Sequence, residues 1–247
     1  MKKIVIKIGR SIATSKRNKI DRYRFEQIAK QIKLLQERDV VVVLVVSAAV
    51  CCGEYELGLK GEYDFSKSLV AGVGQTVVMA DLYTIFVKHN LKVGQLLVTK
   101  SDLKDEKKRA NIKGVLTQAF EHHITLVVNE NDIIELHSFD GNDFLATEIA
   151  KLAEVDSLLL LTDVEGVLDK NMQIIKEYSN SQTLAQISKL NHKGEVGGMT
   201  GKIEAAMKAA INGIATTIAS GKTQNLLTRM FLQNEHIGTR VLGVQYE

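Results

Sequence analysis

The chain contains no proline in 247 residues. Average usage of about 5% would supply roughly 12, so chance does not explain the lack. The sequence is either engineered or shaped by a pressure against proline. Cysteine is nearly as scarce: Cys51 and Cys52 are the only two, and they are neighbours. Adjacent cysteines bridge only under strain, so two reduced, buried thiols are expected, in keeping with a cytoplasmic protein. Neither sign of charge dominates. The 32 Lys+Arg against 29 Asp+Glu leave a net +3, too little for a nucleic-acid-binding field. No run approaches the ~18–20 apolar residues of a membrane span. The N-terminus enters a strand-like run directly, without the apolar stretch and cleavage site of a secretory leader. The six histidines show no HExxH spacing, and no serine sits in G-x-S-x-G, which weakens zinc-enzyme and hydrolase readings.

What is present is a regular alternation of apolar runs and helical patterns. Hydrophobic residues make up 45% of the chain, and a protein of this size hides roughly 70% of its unfolded surface. Strands are expected at Lys3–Ile8, Val40–Val46, Lys92–Val98, Ile124–Val128 and Ser157–Leu161, with closing strands at Ile214–Ala219 and Thr239–Val244. Helices are expected at Asp21–Arg38, where Phe25, Ile28, Ile32 and Leu35 keep helical spacing, and at Ser66–Asn90, Ala110–Glu121, Asp143–Ala153 and Met199–Asn212. Val167–Ile175 reads as a small hairpin. The β-branched run Val40–Val46 suits a central parallel strand covered on both faces. The expected architecture is α/β, a three-layer α/β/α sandwich with a mainly parallel sheet, as a single domain spanning residues 1–247. Sites in such sheets lie beyond the carboxyl ends of the strands.

The loops at those ends are rich in functional groups. They are Gly9-Arg10-Ser11 with Lys7 in the strand before it, Ser47-Ala48-Ala49, Asn129-Glu130-Asn131-Asp132, Asp140-Gly141-Asn142-Asp143, and Thr162-Asp163. Gly197-Gly198-Met199-Thr200-Gly201-Lys202 opens the Ala-rich helix. It is either a phosphate site, with helix-start N–H groups and a lysine, or a flexible loop and cap. Ser220-Gly221-Lys222-Thr223 ends like a Walker A loop, but Thr216 stands where its first glycine belongs. The acids Asp132, Asp140, Asp143 and Asp163 are singly ordinary caps or turn residues. Their clustering at strand ends raises the functional reading, as Mg²⁺ ligands or as partners for lysines.

Taken in order, KIVIKIGRS, VVSAAVCCGEYELG, VGQLLVTKSDL, VVNEND, Asn142-Asp143, LLTDVEG and GGMTGKIEAA resemble the amino acid kinase family over nearly the whole chain. Within it they resemble the branch that phosphorylates the side-chain carboxylate of glutamate, the first step toward proline. GQLLVT followed by VNEND is the most specific portion. The resemblance implies ATP as phosphoryl donor, Mg²⁺ carried on the phosphates, glutamate as acceptor, a homodimer or homotetramer, and a cytoplasmic enzyme without nucleic-acid or membrane partners. It implies that Lys7 contacts the transferring phosphate, Lys202 the β/γ-phosphates, and that Asp143 holds both lysines. Ser47, Asp132 and Asn142 match glutamate-binding positions. Lys7, Gly9, Thr162, Asp163, Val196, Gly197, Gly198, Met199, Thr200, Gly201 and Lys202 match the nucleotide site.

Three departures stand out: Arg10 where the family has serine, Ala48 where it has glycine, and Asp140-Gly141 where it has Gly-Asp. Arg10 would either crowd its loop or add a phosphate cation. The C-terminal RNA-modification-type domain of many relatives is not expected. Other readings are a kinase of the same family acting on acetylglutamate, isopentenyl phosphate or uridylate, or a catalytically silent regulatory protein. A protein needed when proline is scarce would benefit from containing none. Ordinary proline counts in close natural homologues would favour engineering instead.

Overall fold

The structure is a computed structural model that describes residues 1–179 and 198–243. Its centre is an eight-stranded sheet built from β1 (Lys2–Ile8), β2 (Val40–Val46), β3 (Lys92–Val98), β4 (Ile124–Glu130), β5 (Ser157–Thr162), β6 (Glu177–Tyr178), β7 (Ala215–Ser220) and β8 (Thr239–Val241). The strand order is β3-β4-β2-β1-β5-β7-β8-β6. Every pairing is parallel except β7 with β8.

Side chains alternate across each strand, and the two faces of the sheet feed two separate cores. Ile4, Ile6, Ile8, Val42, Leu44, Leu159 and Leu161 face α2 (Arg22–Gln36), α4 (Lys67–Lys88) and α9 (Leu226–Phe231). Val5, Val43, Val45, Leu158 and Leu160 face α6 (Glu106–Glu121), α7 (Asn142–Leu152) and α8 (Gly198–Ile211). This is the three-layer α/β/α arrangement expected from the continuous apolar runs. Lys7 shares the parity of Val5, so its side chain enters the α7–α8 layer. Its register neighbours there are Val45 and Leu160.

Helix starts follow their caps. Asp21 accepts from the Arg24 N–H, Ser66 from Leu69 and Asp105 from Lys108. The Asp105 cap starts α6 at Glu106, four residues before the apolar pattern suggests, because Glu106-Lys107-Lys108-Arg109 is a solvated first turn. Four short helices carry no periodic signal: α1 (Arg10–Ala13), α3 (Ala49–Glu56), α5 (Lys100–Lys104) and α9. The expected hairpin is a single bridge between Leu168 and Ile174. The last strand is Thr239–Val241, and Val244 lies outside the described residues.

By length and composition α4 is long and apolar enough to cross a bilayer. Much of its apolar surface is instead core: Val70, Ala71, Val78, Leu82, Ile85 and Phe86 are buried, and Asp81 pairs with Arg22 of α2. Leu69, Tyr83 and Val87 remain exposed on its outer side.

Helices α3 and α4 pack backbone to backbone. A Cβ on Gly74 would lie 1.8 Å from the Ala49 carbonyl oxygen and 2.4 Å from the Gly53 nitrogen. This contact fixes α3, and with it the loop that follows β2. Gly74→Ala is therefore expected to cost about 1–3 kcal/mol or more in urea unfolding. Gly114→Ala in α6, where a Cβ meets nothing within 4 Å, should be neutral or stabilise by up to about 1 kcal/mol. Equal effects at the two positions would contradict this packing.

Candidate active site

A cleft of about 790 Å³ opens at the carboxyl ends of β4, β2, β1 and β5, where the chain reverses its direction of progress across the sheet. Because β1 lies between β2 and β5, Lys7 sits in the middle of the cleft. Ser47, Asn129, Glu130 and Asp132 line the half beyond β2 and β4. Thr162, Asp163, Gly198 and Met199 line the half beyond β5.

The centre is a buried three-residue ion cluster. Lys7 Nζ lies 2.8 Å from Asp143 Oδ1. Lys202 Nζ lies 2.9 Å from Oδ1 and 3.0 Å from Oδ2 of the same carboxylate. All three residues are less than a tenth exposed. Burial would push the Asp143 carboxyl up, but the charges and hydrogen bonds of Lys7 and Lys202 overcome it and hold it at about 2. Burial pulls Lys202 down to about 8, opposed by Asp143 and reinforced by the neighbouring Lys7 charge.

Local structure builds this cluster from both sides. Asp143 is in the first turn of α7 behind Gly141, whose φ of 118° suits glycine. The Thr147 hydroxyl, one turn on, lies 3.2 Å from the Asp143 carbonyl and 2.9 Å from the Ala205 carbonyl of α8. It ties α7 to α8 so that Asp143 and Lys202 meet. Gly9 leaves room for the lysine head, since a Cβ there would stand 3.3 Å from Lys7 Nζ.

The β2–β4 half of the cleft is built of amides and carboxyls. Asn142 Nδ2 donates to Asn129 Oδ1 at 3.0 Å, and Asn129 Nδ2 donates to Gln75 Oε1 at 2.9 Å. Asn142 Oδ1 is buried without a hydrogen-bond partner. Burial and the charge of Asp132 push the Glu130 carboxyl up to about 7, against N–H groups from Phe139 and Ser138. Burial raises Asp132 too, opposed by the His137 N–H and its charge.

The sequence-derived residues fall into three groups. Lys7, Gly9, Ser47, Asp132, Asn142, Asp143, Thr162, Asp163, Gly198, Met199 and Lys202 share this cleft. Thr200 and Gly201 do not line it, because positions 198, 199 and 202 take one face of α8 and 200 and 201 take another. Val196 and Gly197 lie outside the described residues. Asp140, weighed with the cleft acids, is an exposed side chain 3.4 Å from Lys100 Nζ and lies outside the cleft.

Gln75 and Thr147 are additions that sequence reasoning did not single out, while Asn129 and Glu130 were named only as part of a strand-end loop. VNEND carried a signal for Asn129 and Glu130. Gln75 and Thr147 carried none, since their partners are 54 and 58 residues away. Lys222 of the Walker-like decoy donates to the Asp163 carbonyl at 3.3 Å. Among the described residues no three His, Cys, Asp or Glu side chains converge to cage a metal. That donor set fits a Mg²⁺ ion arriving on nucleotide phosphates, which keeps most of its own waters.

The family model of the amino acid kinase family matches residues 2–220. The chain is 34% identical to a glutamate 5-kinase of Clostridium acetobutylicum, over 96% of this chain and 93% of that protein. It is 32% identical to a glutamate 5-kinase of Syntrophus aciditrophicus, over 99% of this chain but 66% of that protein. In fold it is similar to an isopentenyl phosphate kinase (TM-score 0.66, 18% identity, 97% of this chain and 99% of that one). It is likewise similar to an N-acetylglutamate synthase from Neisseria gonorrhoeae (TM-score 0.72, 13% identity, 99% of this chain and 60% of that one).

The ion cluster makes a signed pH prediction. A carboxylate whose folded value is depressed stabilises the fold above its unfolded value and loses that contribution as pH falls through the folded one. Asp143 therefore supports folding fully above about pH 4 and progressively less down to about pH 2. Asp143→Asn should destabilise the protein at pH 7, because two buried lysines lose their counter-ion. The gap between the two proteins should narrow as pH drops from 4 toward 2. A gap independent of pH in urea titrations would mean the cluster is not charged as described.

Proposed function

The chain belongs to the amino acid kinase family, and we propose that it transfers the γ-phosphoryl group of ATP to the side-chain carboxylate of L-glutamate. The product is γ-glutamyl phosphate, the entry to proline synthesis. The observation that carries the reading is the buried carboxylate of Asp143 clamped by Lys7 and Lys202 at the centre of the strand-end cleft. The near-full-length match to a glutamate 5-kinase supports glutamate as acceptor.

A γ-carboxylate is already ionised at pH 7, so the acceptor needs no general base. One of its oxygens bonds to the γ-phosphorus as the bond to the ADP oxygen breaks, and ADP leaves with that electron pair. The obstacle is repulsion between anions, and fixed positive charge aimed at the moving phosphoryl group lowers it. Lys7 and Lys202 supply that charge. Asp143 keeps two like charges side by side and fixes their aim. When bound, Mg²⁺ adds charge neutralisation on the phosphates.

Thr162, Asp163, Gly198 and Met199 line the nucleotide half. Ser47, Asp132 and Asn142 line the acceptor half, where acidic groups and the unpartnered Asn142 Oδ1 suit an ammonium group. That polarity favours an amino-acid acceptor over isopentenyl phosphate or uridylate. The exposed Leu69, Tyr83 and Val87 of α4 support a homo-oligomer.

Coupled ADP release across glutamate, acetylglutamate, UMP and isopentenyl phosphate tests the acceptor. Turnover is expected with glutamate, and turnover only with another acceptor would overturn the reading. In the same assay Lys7→Ala and Lys202→Ala should each lower kcat by about 10²–10³-fold. Folding should survive either change, since one lysine still pairs with Asp143. Near-normal rates in both would mean the roles are wrong.

The depressed Lys202 also sets a pH limit. Only its protonated form supplies charge, so kcat/KM for ATP should fall above about pH 8. Lys202→Arg should move that limb well upward, because guanidinium stays protonated. A profile flat to pH 10 in the unaltered enzyme would contradict the assignment.

A further inference from the structure

We propose that Gln75 is a positioning residue for the acceptor half. Through Asn129 it sets the orientation of the Asn142 amide, so that the substrate meets an oxygen acceptor there rather than an N–H donor. The proposal rests on the glutamate reading above and gives a role to a side chain that the reading leaves unused.

The sheet makes the connection possible. Asn129 shares the parity of Val127, so its side chain leaves β4 toward the layer that holds α4. It is also the next-to-last residue of the strand, close to where α7 begins in the other layer. A chain of amides therefore passes around the end of β4 from one helix layer to the other. Asn142 Nδ2 donates to Asn129 Oδ1 at 3.0 Å, and Asn129 Nδ2 donates to Gln75 Oε1 at 2.9 Å. Asn129 is buried, and these bonds engage both ends of its amide. Asn142 is the first residue of α7 and directly precedes Asp143.

Gln75 is the anchored end of that chain, because its stretch of backbone is held on two sides. The neighbouring Gly74 packs against the Ala49 carbonyl of α3. At Gly72, three residues back, a Cβ would lie 2.6 Å from Ile133 Cδ1, so the loop after β4 rests on the same turn of α4. Gln75 lies beside the main cleft and does not line it. It lines a smaller cavity of about 170 Å³ with Gln95 and Asn131. Its route to the substrate is therefore through Asn129, which does line the cleft.

Hydrogen-bond direction gives the chain its chemical meaning. A primary amide has one accepting end and one donating end. Because Gln75 presents its oxygen, Asn129 turns its NH₂ toward Gln75 and its oxygen toward Asn142. Asn142 then spends its NH₂ on Asn129 and keeps Oδ1. That oxygen is buried and has no hydrogen-bond partner among the described residues. A buried acceptor without a donor costs free energy until one arrives, and the substrate ammonium is such a donor. The opposite direction, with Gln75 presenting Nε2, would leave an Asn142 N–H, which suits a carboxylate instead.

Gln75→Met tests this by steady-state kinetics, with glutarate as a competitor of glutamate. Methionine matches glutamine in length and helix propensity and removes the amide. Glutarate keeps both carboxylates and lacks only the ammonium. In Gln75→Met the glutamate KM should rise about tenfold. The ATP KM and kcat should stay within about threefold, and the glutarate inhibition constant should not change. Gln75→Glu offers Asn129 an oxygen in either protonation state, so its glutamate KM should lie closer to the parent's. In an Asn142→Ala background Gln75→Met should add less than about twofold to the glutamate KM, because the chain is already cut. Gln75 is only partly buried, and both single variants should unfold thermally like the parent.

An unchanged glutamate KM in Gln75→Met would overturn the proposal. So would a loss confined to kcat or the ATP KM, which would place the effect on transfer or on the nucleotide. Equal weakening of glutamate and glutarate would also overturn it, because the ammonium would then not be what the chain serves. A full tenfold rise on top of Asn142→Ala would show that Gln75 acts independently of Asn142, and a larger loss in Gln75→Glu than in Gln75→Met would show that its oxygen is not what matters. Absence of glutamate turnover by the unaltered chain would instead strike the glutamate reading itself, and the proposal with it.

Discussion

A carboxylate with almost no access to water is tolerable only when opposite charge surrounds it. Asp143 meets that condition with two lysines drawn from opposite ends of the sequence. The dependence is mutual. Lys7 and Lys202 could not both stay charged side by side without a shared counter-ion, and Asp143 could not stay ionised with neither. The cluster is balanced in charge sign but not in number. The single positive charge left over is held rigidly at the middle of an open cleft, where an incoming phosphate completes the pairing.

The sheet determines what can reach that charge. Placing β1 between β2 and β5 divides the cleft into an amide- and carboxyl-lined half and a half built from the β5 loop and the start of α8, the proposed nucleotide side. On the proposed reading, donor and acceptor then approach Lys7 from opposite directions, as in-line transfer requires. The close packing of α3 on α4 at Gly74 and the Thr147 tie between α7 and α8 hold the two walls apart at fixed spacing. A difference of an ångström in that spacing matters more to transfer than the strength of any one bond.

Local sequence patterns carried the frame of this molecule. The apolar run of β2 and the strand–helix alternation specified a covered parallel sheet, and Lys7 was placed at the end of its first strand. Lys7, Asp143 and Lys202 were recognisable because each sits in a distinctive motif. Contacts made only by tertiary folding were not legible. Gln75 reaches Asn129 across 54 residues, and Thr147 reaches Ala205 across 58. The short helices α1 and α3 lack enough turns for a periodic signal. Thr200 and Gly201 share a motif with Lys202, but helical geometry turns them off the cleft wall. Asp140 shows the same limit from the other side: it is adjacent in sequence to the site residues, and the left-handed turn at Asp140 and Gly141 leaves its carboxylate outside.

The same fold is found in solved structures at 18% identity or less. On the proposed reading the acceptor wall is made by Ser47, Asp132 and the Asn142–Asn129–Gln75 amide chain. A crystal structure with a non-hydrolysable ATP analogue and glutamate tests the central claim most directly. Both Lys7 Nζ and Lys202 Nζ should contact β- or γ-phosphate oxygens while Asp143 still bridges them, with the glutamate side-chain carboxylate facing the γ-phosphorus. Nucleotide phosphates bound away from both lysines, with the cluster intact and untouched, would contradict it.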